Sequence, residues 1–172
     1  MGKAVPNAFT LIELLVVIAI MAVVGVYTLA NYRSFGEDQN LKNAVLDVQS
    51  MFRAAQTNAT ANVKCNTGYS ATWQVEFVDT KTINLKCQES GTSFTKKTLT
   101  LGSNIAINSV SGTPSVSCPT GVSFTLTFAP LSGKINFVGY ANCTVVTIIL
   151  TNSKTTNTKS LVIEKGGRIY GQ

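Results

Sequence analysis

The sequence predicts an α+β fold, in which one long N-terminal helix precedes an antiparallel, β-rich body. Three patterns predict it: an apolar run near the start, an amphipathic stripe after that run, and short alternating segments beyond residue 62. The chain has 172 residues, which suffices for one domain with a core but hardly for two. We therefore expect one globular domain, residues 63–172, preceded by a helical anchor; this domain is hereafter the head.

The apolar run is long enough to cross a membrane. Leu14–Ala30 contains 17 residues without a charge, and together with Phe9–Ile12 it reaches roughly the 20 residues of a spanning helix. The basic groups before it are Lys3 and the initiating amine, whereas two acids outweigh Arg33 after it. The positive-inside rule therefore places the N-terminus in the cytoplasm and the head outside.

One carboxylate, that of Glu13, lies close to the start of this apolar stretch. A charged side chain inside hydrocarbon costs about 2.5–3.5 kcal/mol on insertion scales, so it calls for a partner of opposite charge and usually has a function. Glu13 is therefore the first candidate for a functional residue.

Two other kinds of N-terminal segment compete with this interpretation. A conventional secretory signal shares the short basic start, but its apolar region is typically about 7–15 residues long and ends in a small-x-small cleavage site. This run is longer and passes through residues 26–30 without such a site. A plain anchor that is never cut stays open as the second alternative.

An apolar stripe follows the run. Its members are spaced 4, 3, 4, 3 and 4 residues apart, which places them on one face of a helix: Leu41, Val45, Val48, Phe52, Ala55 and Ala59. The polar residues off the stripe can face water: Asp47, Gln49, Ser50, Arg53, Gln56 and Asn58. Because the stripe covers only about three heptads, packing against a sheet is favoured over a free coiled coil. A helix from Phe9 to about Asn62 would be roughly 80 Å long.

The head alternates polar and apolar residues. In residues 71–78, Trp73, Val75 and Phe77 alternate with polar side chains, as in a half-buried strand. Further short segments, separated by Gly, Pro, Asn and Ser clusters, extend the series: Thr82–Cys87, Thr98–Leu101, Ile105–Val110, Val122–Phe128, Lys134–Phe137, Thr144–Leu150, Leu161–Glu164 and Arg168–Tyr170. Eight or nine short strands predict two small antiparallel sheets, with the long helix against one of them.

The four cysteines all lie in the head: Cys65, Cys87, Cys118 and Cys143. Because the chain has no histidine and no Cys-x-x-Cys pair, a zinc site would need four dispersed thiolates, and we predict neither a metal nor a cofactor. Two disulfides formed in an oxidising compartment are favoured over free thiols. Three pairings are possible; we prefer Cys65 with Cys87 and Cys118 with Cys143, since each pair brackets one hairpin-sized stretch.

The formal charge of +6 comes from the head, where ten Lys and Arg residues stand against four acids. This balance permits weak attraction to polyanions. Nine of the ten cations are dispersed lysines, however, and no basic run carries interleaved aromatic residues. A solvated surface is the favoured interpretation.

No enzyme signature occurs in the sequence. The chain has no histidine for a hydrolytic triad, no P-loop and no dinucleotide-binding glycine pattern. The few acids of the head are isolated from one another in sequence. We therefore predict that the protein is not an enzyme.

The start of the apolar run resembles the class III leader junction of type IV pilins and type II secretion pseudopilins. The resemblance covers residues 9–13, Phe-Thr-Leu-Ile-Glu, and the seven residues that follow, Leu-Leu-Val-Val-Ile-Ala-Ile. In that family a prepilin peptidase cuts before the Phe and methylates the new amine. The resemblance implies a cut between Ala8 and Phe9, with residues 1–8 as a cytoplasmic leader. The family usually has Gly before the cut, where this chain has Ala8.

The same resemblance implies a partner for Glu13. Cleavage creates an ammonium group at Phe9, and in the family the Glu of an assembled subunit meets the amine of an incoming one. Residues 9–30 are then the transmembrane and assembly helix, and residues 31–62 its amphipathic continuation. The head lies outside the cytoplasmic membrane and later in an extracytoplasmic filament. The implied partners are other pilin or pseudopilin subunits, the prepilin peptidase, the inner-membrane assembly platform and the membrane.

The last third of the chain resembles the head of the GspH/FimT group of minor pilins and pseudopilins. The similarity lies in residues 128–135, Phe-Ala-Pro-Leu-Ser-Gly-Lys-Ile, in Val145–Leu150 and Leu161–Glu164, and in the closing Gly-Arg-Ile of residues 167–169. Members that bind DNA carry Gly-Arg-x-Arg there, and this chain has Tyr170 at the second Arg. Half of the guanidinium pair that would hold phosphate is therefore missing. The candidates for DNA binding are Lys165, Arg168 and Tyr170, with Lys96 and Lys97.

Together these patterns predict a structural subunit, a minor pilin or pseudopilin that presents a disulfide-linked head. A secretion pseudopilin that contacts exported proteins and a DNA-binding minor pilin for DNA uptake stay open as alternatives. An anchored adhesin that joins no filament is the third.

Overall fold

The computed structural model describes residues 10–172, of which positions 27–31 and 33 are described by their backbone alone. Within this range the chain forms one long helix, α1 (Leu11–Thr60), and nine strands. The strands are β1 (Thr72–Phe77), β2 (Thr82–Glu89), β3 (Thr92–Thr100), β4 (Ile105–Thr113), β5 (Phe124–Phe128), β6 (Ile135–Phe137), β7 (Val145–Asn152), β8 (Thr158–Glu164) and β9 (Ile169–Gly171). The chain divides after Gly36 into two compact units.

The predicted α+β fold is confirmed. Each predicted strand occurs, and α1 ends at Thr60 rather than at about Asn62. The largest difference concerns β3, which was predicted as Thr98–Leu101 but begins at Thr92. Most residues of β3 are exposed on both faces, so the strand lacks the alternation by which a half-buried strand is recognised.

The strands form two antiparallel sheets. The first sheet has five strands in the order β3-β2-β1-β5-β6, and the second has four in the order β4-β7-β8-β9. A two-residue turn, Ser90 and Gly91, joins β2 to β3. Both residues have positive φ, 50° and 85°, as a type I′ hairpin turn requires.

The C-terminus of α1 is closed by a Schellman motif. Asn62 has a φ of 51°, the Val63 N–H donates to the Asn58 carbonyl (2.9 Å), and the Asn62 N–H donates to the Ala59 carbonyl (3.3 Å). Asn is one of the few residues that adopt this left-handed conformation readily. The motif satisfies carbonyl groups that a helix end leaves free, and it ends α1 at a defined position.

The core lies between the second half of α1 and the two sheets, all within the second unit. The six stripe residues are buried, as predicted. The Phe52 ring lies 5.9 Å from the ring of Phe77 on β1 and 6.4 Å from that of Phe128 on β5, centroid to centroid. The second sheet adds five side chains without exposure: Val146, Ile148, Leu150, Leu161 and Ile163. Helix and sheets therefore share one core.

Three of the polar residues off the stripe are not fully exposed, namely Gln49, Gln56 and Asn58, and for Gln49, which is buried, the prediction was wrong. Gln49 is 9% exposed, and its Nε2 donates to the Ile169 carbonyl of β9 (2.9 Å). Gln56 is half-buried, and its Nε2 donates to the Gly167 carbonyl (3.3 Å). Gln49 and Gln56 flank the apolar stripe, which brings Gln49 to β9, the edge strand of the second sheet, and Gln56 to the turn before it. Gln49 supplies a donor to a carbonyl group that a sheet edge leaves without a ladder partner, and Gln56 supplies one to the turn.

Both disulfides have the pairing that the sequence favoured. Cys65 is bonded to Cys87 across 22 residues, and Cys118 to Cys143 across 25 residues. The first bond ties the segment after α1 to β2, and the second ties the segment before β5 to the start of β7. In the chain-entropy model, closing loops of this length stabilises a domain by about 3 kcal/mol each.

Gln49→Ala should lower the free energy of unfolding by about 1–3 kcal/mol, because the partly buried carbonyl group of Ile169 loses its donor. Urea unfolding of the detergent-extracted chain measures this, followed by the fluorescence of Trp73, the only tryptophan, which is 4% exposed. Arg53→Ala, at an exposed position of the same helix, is the matched control and should change stability by no more than about 0.5 kcal/mol. Equal effects of the two variants would contradict the assigned role of Gln49.

Candidate assembly and binding residues

α1 begins directly after a threonine cap. The Glu13 N–H donates to the Thr10 carbonyl (3.1 Å) and lies 3.3 Å from Thr10 Oγ1, and the Leu14 N–H also donates to the Thr10 carbonyl (3.2 Å). Thr10 therefore occupies the N-cap and Glu13 the third helical position, which is the spacing of a capping box. The helix dipole also favours a carboxylate in the first turn. Local interactions thus fix Glu13 in the first turn of α1.

The residues around Glu13 expose apolar side chains. Between Leu11 and Val26, twelve large apolar side chains are 42–81% exposed. Soluble monomers rarely expose an apolar patch of this extent, and such patches mark contact with other proteins or with lipid. The first unit therefore has the character of an interaction segment.

Part of the predicted N-terminal site lies outside the described residues. This holds for Ala8 and Phe9, the predicted cleavage and methylation residues, and for the leader 1–8. Within residues 10–172, no helix has the length and apolar character needed to cross a membrane.

Glu13 has no counter-charge in the described part of the chain. Three ion pairs occur among these residues, and none contains Glu13: Lys86–Glu76, Lys154–Glu37 and Arg168–Glu164. A carboxylate in apolar surroundings calls for a partner of opposite charge.

The β8–β9 hairpin brings two of the predicted DNA-binding residues together. The Arg168 guanidinium lies 5.7 Å from the Tyr170 ring centroid, and its Nη1 is 3.9 Å from Glu164 Oε2. The Tyr170 hydroxyl donates to Glu164 Oε1 (3.3 Å). Lys165 points elsewhere, since its Nζ donates to the Ala141 carbonyl (2.7 Å). Sequence reasoning missed Glu164, whose place four residues before Arg168 was the available signal.

Lys96 and Lys97 do not join this hairpin. They lie on β3, the edge strand of the first sheet, whereas Arg168 and Tyr170 belong to the edge of the second sheet. The five candidate residues therefore do not form one site.

Three carboxylates of the second unit are held ionised by hydrogen bonds. The buried Asn152 amide donates to Glu37 Oε2 (2.9 Å) and lowers the pKa of that carboxyl. The backbone N–H of Lys81 lowers the pKa of Asp79, and backbone donors likewise lower the pKa of Glu89. Each carboxylate accepts bonds that fix a turn or a helix, so none is poised to donate a proton. Over the described residues, no group of three or more His, Cys, Asp or Glu side chains could hold a metal ion.

Comparison with known proteins identifies the N-terminal segment. Residues 6–28 match the family model described as the prokaryotic N-terminal methylation motif. The chain carries a class III signal motif. The matched residues include the predicted cleavage site after Ala8, Glu13 in the first turn of α1, and most of the apolar run. It is consistent with a type IV pilin or pseudopilin, and the predicted resemblance of the N-terminus is confirmed.

The match does not extend into the head. No curated protein and no solved structure matches the chain. The resemblance of the last third to the GspH/FimT group therefore stays a prediction.

Thr10→Ala should loosen the first turn of α1, because the cap contributes about 1 kcal/mol. We expect hydrogen exchange of the backbone N–H of Glu13 to rise about fivefold in the detergent-extracted chain. Thr10→Ser, which keeps the hydroxyl acceptor, is the matched control and should exchange like the wild type. Exchange in Thr10→Ala that equals the wild-type rate would show that Thr10 is not the cap.

Proposed function

We propose that the protein is a structural subunit, a minor one, of a type IV pilus or a pseudopilus. The observation that supports this most directly is the methylation motif at residues 6–28, which leads into a helix with Glu13 in its first turn. In this proposal the prepilin peptidase removes residues 1–8 and methylates the Phe9 amine. The protein's own role is packing and display, with no catalytic step.

The proposal explains why Glu13 lies where it does. Cleavage before Phe9 creates an ammonium group, and methylation keeps its positive charge. Phe9 and Glu13 of one chain are only four residues apart in sequence, so pairing within a chain is an alternative to pairing between chains. Pairing between chains, from Glu13 of an assembled subunit to Phe9 of an incoming one, couples the charge to growth of the filament. We propose the second arrangement.

The division of the chain follows from the same proposal. Residues 9–30 hold the subunit in the cytoplasmic membrane before assembly, and their exposed apolar side chains then pack against other subunits. Residues 31–62 continue the helix, and the head is displayed outside the membrane. The inner-membrane assembly platform and the other subunits are the partners. The two disulfides agree with an oxidising, extracytoplasmic location.

Two more specific roles are compatible with this proposal. A secretion pseudopilin would contact exported proteins through the head. A DNA-binding minor pilin would use Arg168, whose side chain is 78% exposed, beside the Tyr170 ring. Against the DNA role, Glu164 lies close to both residues and Lys165 is engaged with a backbone carbonyl. We therefore favour the structural role.

Glu13→Ala and Glu13→Gln should both lower incorporation into filaments at least about a hundredfold, because loss of one partner of a buried ion pair costs about 3–5 kcal/mol. The measurement is the amount of the subunit in sheared filaments relative to the amount in the membrane. Trp73 fluorescence should stay as in the wild type, since Trp73 belongs to the buried core and Glu13 does not.

Asp47→Asn is the matched control for this test. It removes the same charge from an exposed position of α1 and should assemble normally. Wild-type incorporation of Glu13→Gln would contradict the proposed pairing, because that variant keeps the size of the side chain and lacks only its charge.

A further inference from the structure

The strand β3 forms a long, free edge of the first sheet. It spans nine residues and, within the described residues, pairs only with β2. Phe94 and Leu99 are half-buried, and the other residues of the strand are exposed. An edge strand presents N–H and C=O groups that have no ladder partner, which makes it a template for another strand.

A β-bulge places two lysines of β3, Lys96 and Lys97, on the same face of the sheet. The register shifts between Leu85 and Lys86 of β2, so Lys96 has no partner of its own. Phe94, Lys97 and Leu99 stand opposite residues that are buried in the core: Cys87, Leu85 and Ile83, respectively. Cross-strand partners share a face, so Phe94, Lys97 and Leu99 all lie on the core side of the sheet.

Lys96 joins the same face. Its Nζ lies 5.8 Å from the ring centroid of Phe94. In a regular strand, consecutive residues such as Lys96 and Lys97 point to opposite faces, and the bulge removes this separation. We call Phe94, Lys96, Lys97 and Leu99 the β3 face.

The two ammonium groups of the β3 face have no carboxylate partner among the described residues. The ion pairs of this part of the chain involve Lys86, Lys154 and Arg168 instead. Like charges placed side by side destabilise a sheet, and an anion between them would relieve the repulsion. The β3 face is therefore complementary to a carboxylate-bearing ligand.

A groove of about 330 Å³ continues the β3 face toward α1. Leu99 belongs to both, and Ala44, Leu101 and Ile105 add apolar surface to the groove. Most of the other lining residues are polar, and two of them are carboxylates of α1, Glu37 and Asp47. An extended ligand would thus meet cations over Lys96 and Lys97 and a mixed apolar and acidic surface beyond Leu99. It needs carboxylates at one end and uncharged side chains at the other.

We propose that the free edge of β3 binds an extended acidic segment of a partner protein, which adds to the first sheet as a further strand. Main-chain hydrogen bonds hold the segment, its carboxylates meet Lys96 and Lys97, and an uncharged side chain enters the groove. This binding goes beyond the proposed function and does not depend on it, because it uses residues of the second unit whether or not the subunit enters a filament.

Two competing roles for the same residues are distinguishable by experiment. Lysines and bulges on an edge strand also prevent edge-to-edge aggregation, and this protective role predicts that removing the lysines causes self-association without any loss of ligand binding. Lysines beside an aromatic ring also suit single-stranded nucleic acid, which would bind without protecting the backbone of β3.

The test uses the detergent-extracted full chain and a labelled peptide, Thr-Glu-Thr-Glu-Thr-Val-Thr-Val, in this order and reversed. A peptide with Lys in place of Glu and a twelve-nucleotide oligothymidine serve as comparison probes. Fluorescence anisotropy measures binding at low and high salt, and hydrogen exchange measures the backbone N–H groups of β3. We expect the acidic peptide to bind in at least one order, to weaken with salt and to slow exchange along β3.

Lys96→Glu/Lys97→Glu should weaken binding of the acidic peptide about tenfold or more. Lys134→Glu/Lys159→Glu makes the same change of charge at exposed positions elsewhere and should bind like the wild type. Size-exclusion chromatography of both variants monitors self-association.

Three outcomes would overturn the proposal. The first is no binding of the acidic peptide in either order, or binding that the two double variants weaken equally. The second is self-association of the Lys96→Glu/Lys97→Glu variant with unchanged peptide binding, which assigns the lysines to edge protection. The third is tighter binding of oligothymidine than of the peptide, with the same dependence on Lys96 and Lys97, which assigns the face to nucleic acid.

Discussion

A carboxylate in apolar surroundings requires a positive charge, and this requirement organises the N-terminal part of the protein. Glu13 is held in the first turn of α1 by the Thr10 cap, amid exposed apolar side chains, and no ion pair among the described side chains contains it. In the proposed function this positive charge is the ammonium group of Phe9, which exists only after the leader has been removed. Processing of the chain and its assembly are then linked by one electrostatic interaction.

The same helix has a different role in the second unit. Its stripe residues, with Phe52 at their centre, close one core with two sheets, and Gln49 and Gln56 donate hydrogen bonds to β9 and to the turn before it. Two disulfides tie irregular segments to the rest of the head. The helix thus covers the outer strand of the second sheet, whereas β3, with its lysine pair on one face, is the outer strand that the proposed binding uses.

The sequence predicted those features that depend on local patterns. The stripe from Leu41 to Ala59, the alternation around Trp73 and the hairpin-sized cysteine intervals each reflect contacts that repeat along the chain, so their spacing reveals them. It could not predict features that depend on distant residues. Gln49 is a polar residue in a helix with one solvent-exposed face, so its sequence position suggests exposure. Only the position of β9 shows that its side chain is buried. The bulge at Lys96 is likewise a property of the pairing with β2 rather than of β3 alone.

In the proposed function, Glu13 receives its counter-charge from the Phe9 amine that cleavage creates. The intact mass of the protein extracted from membranes of its native host is the decisive measurement. We expect a chain that begins with N-methylated Phe9 and lacks residues 1–8, despite Ala8 at the position before the cut. A mature protein that still begins at Met1 would contradict the proposed function, because Glu13 would then have no Phe9 amine to pair with.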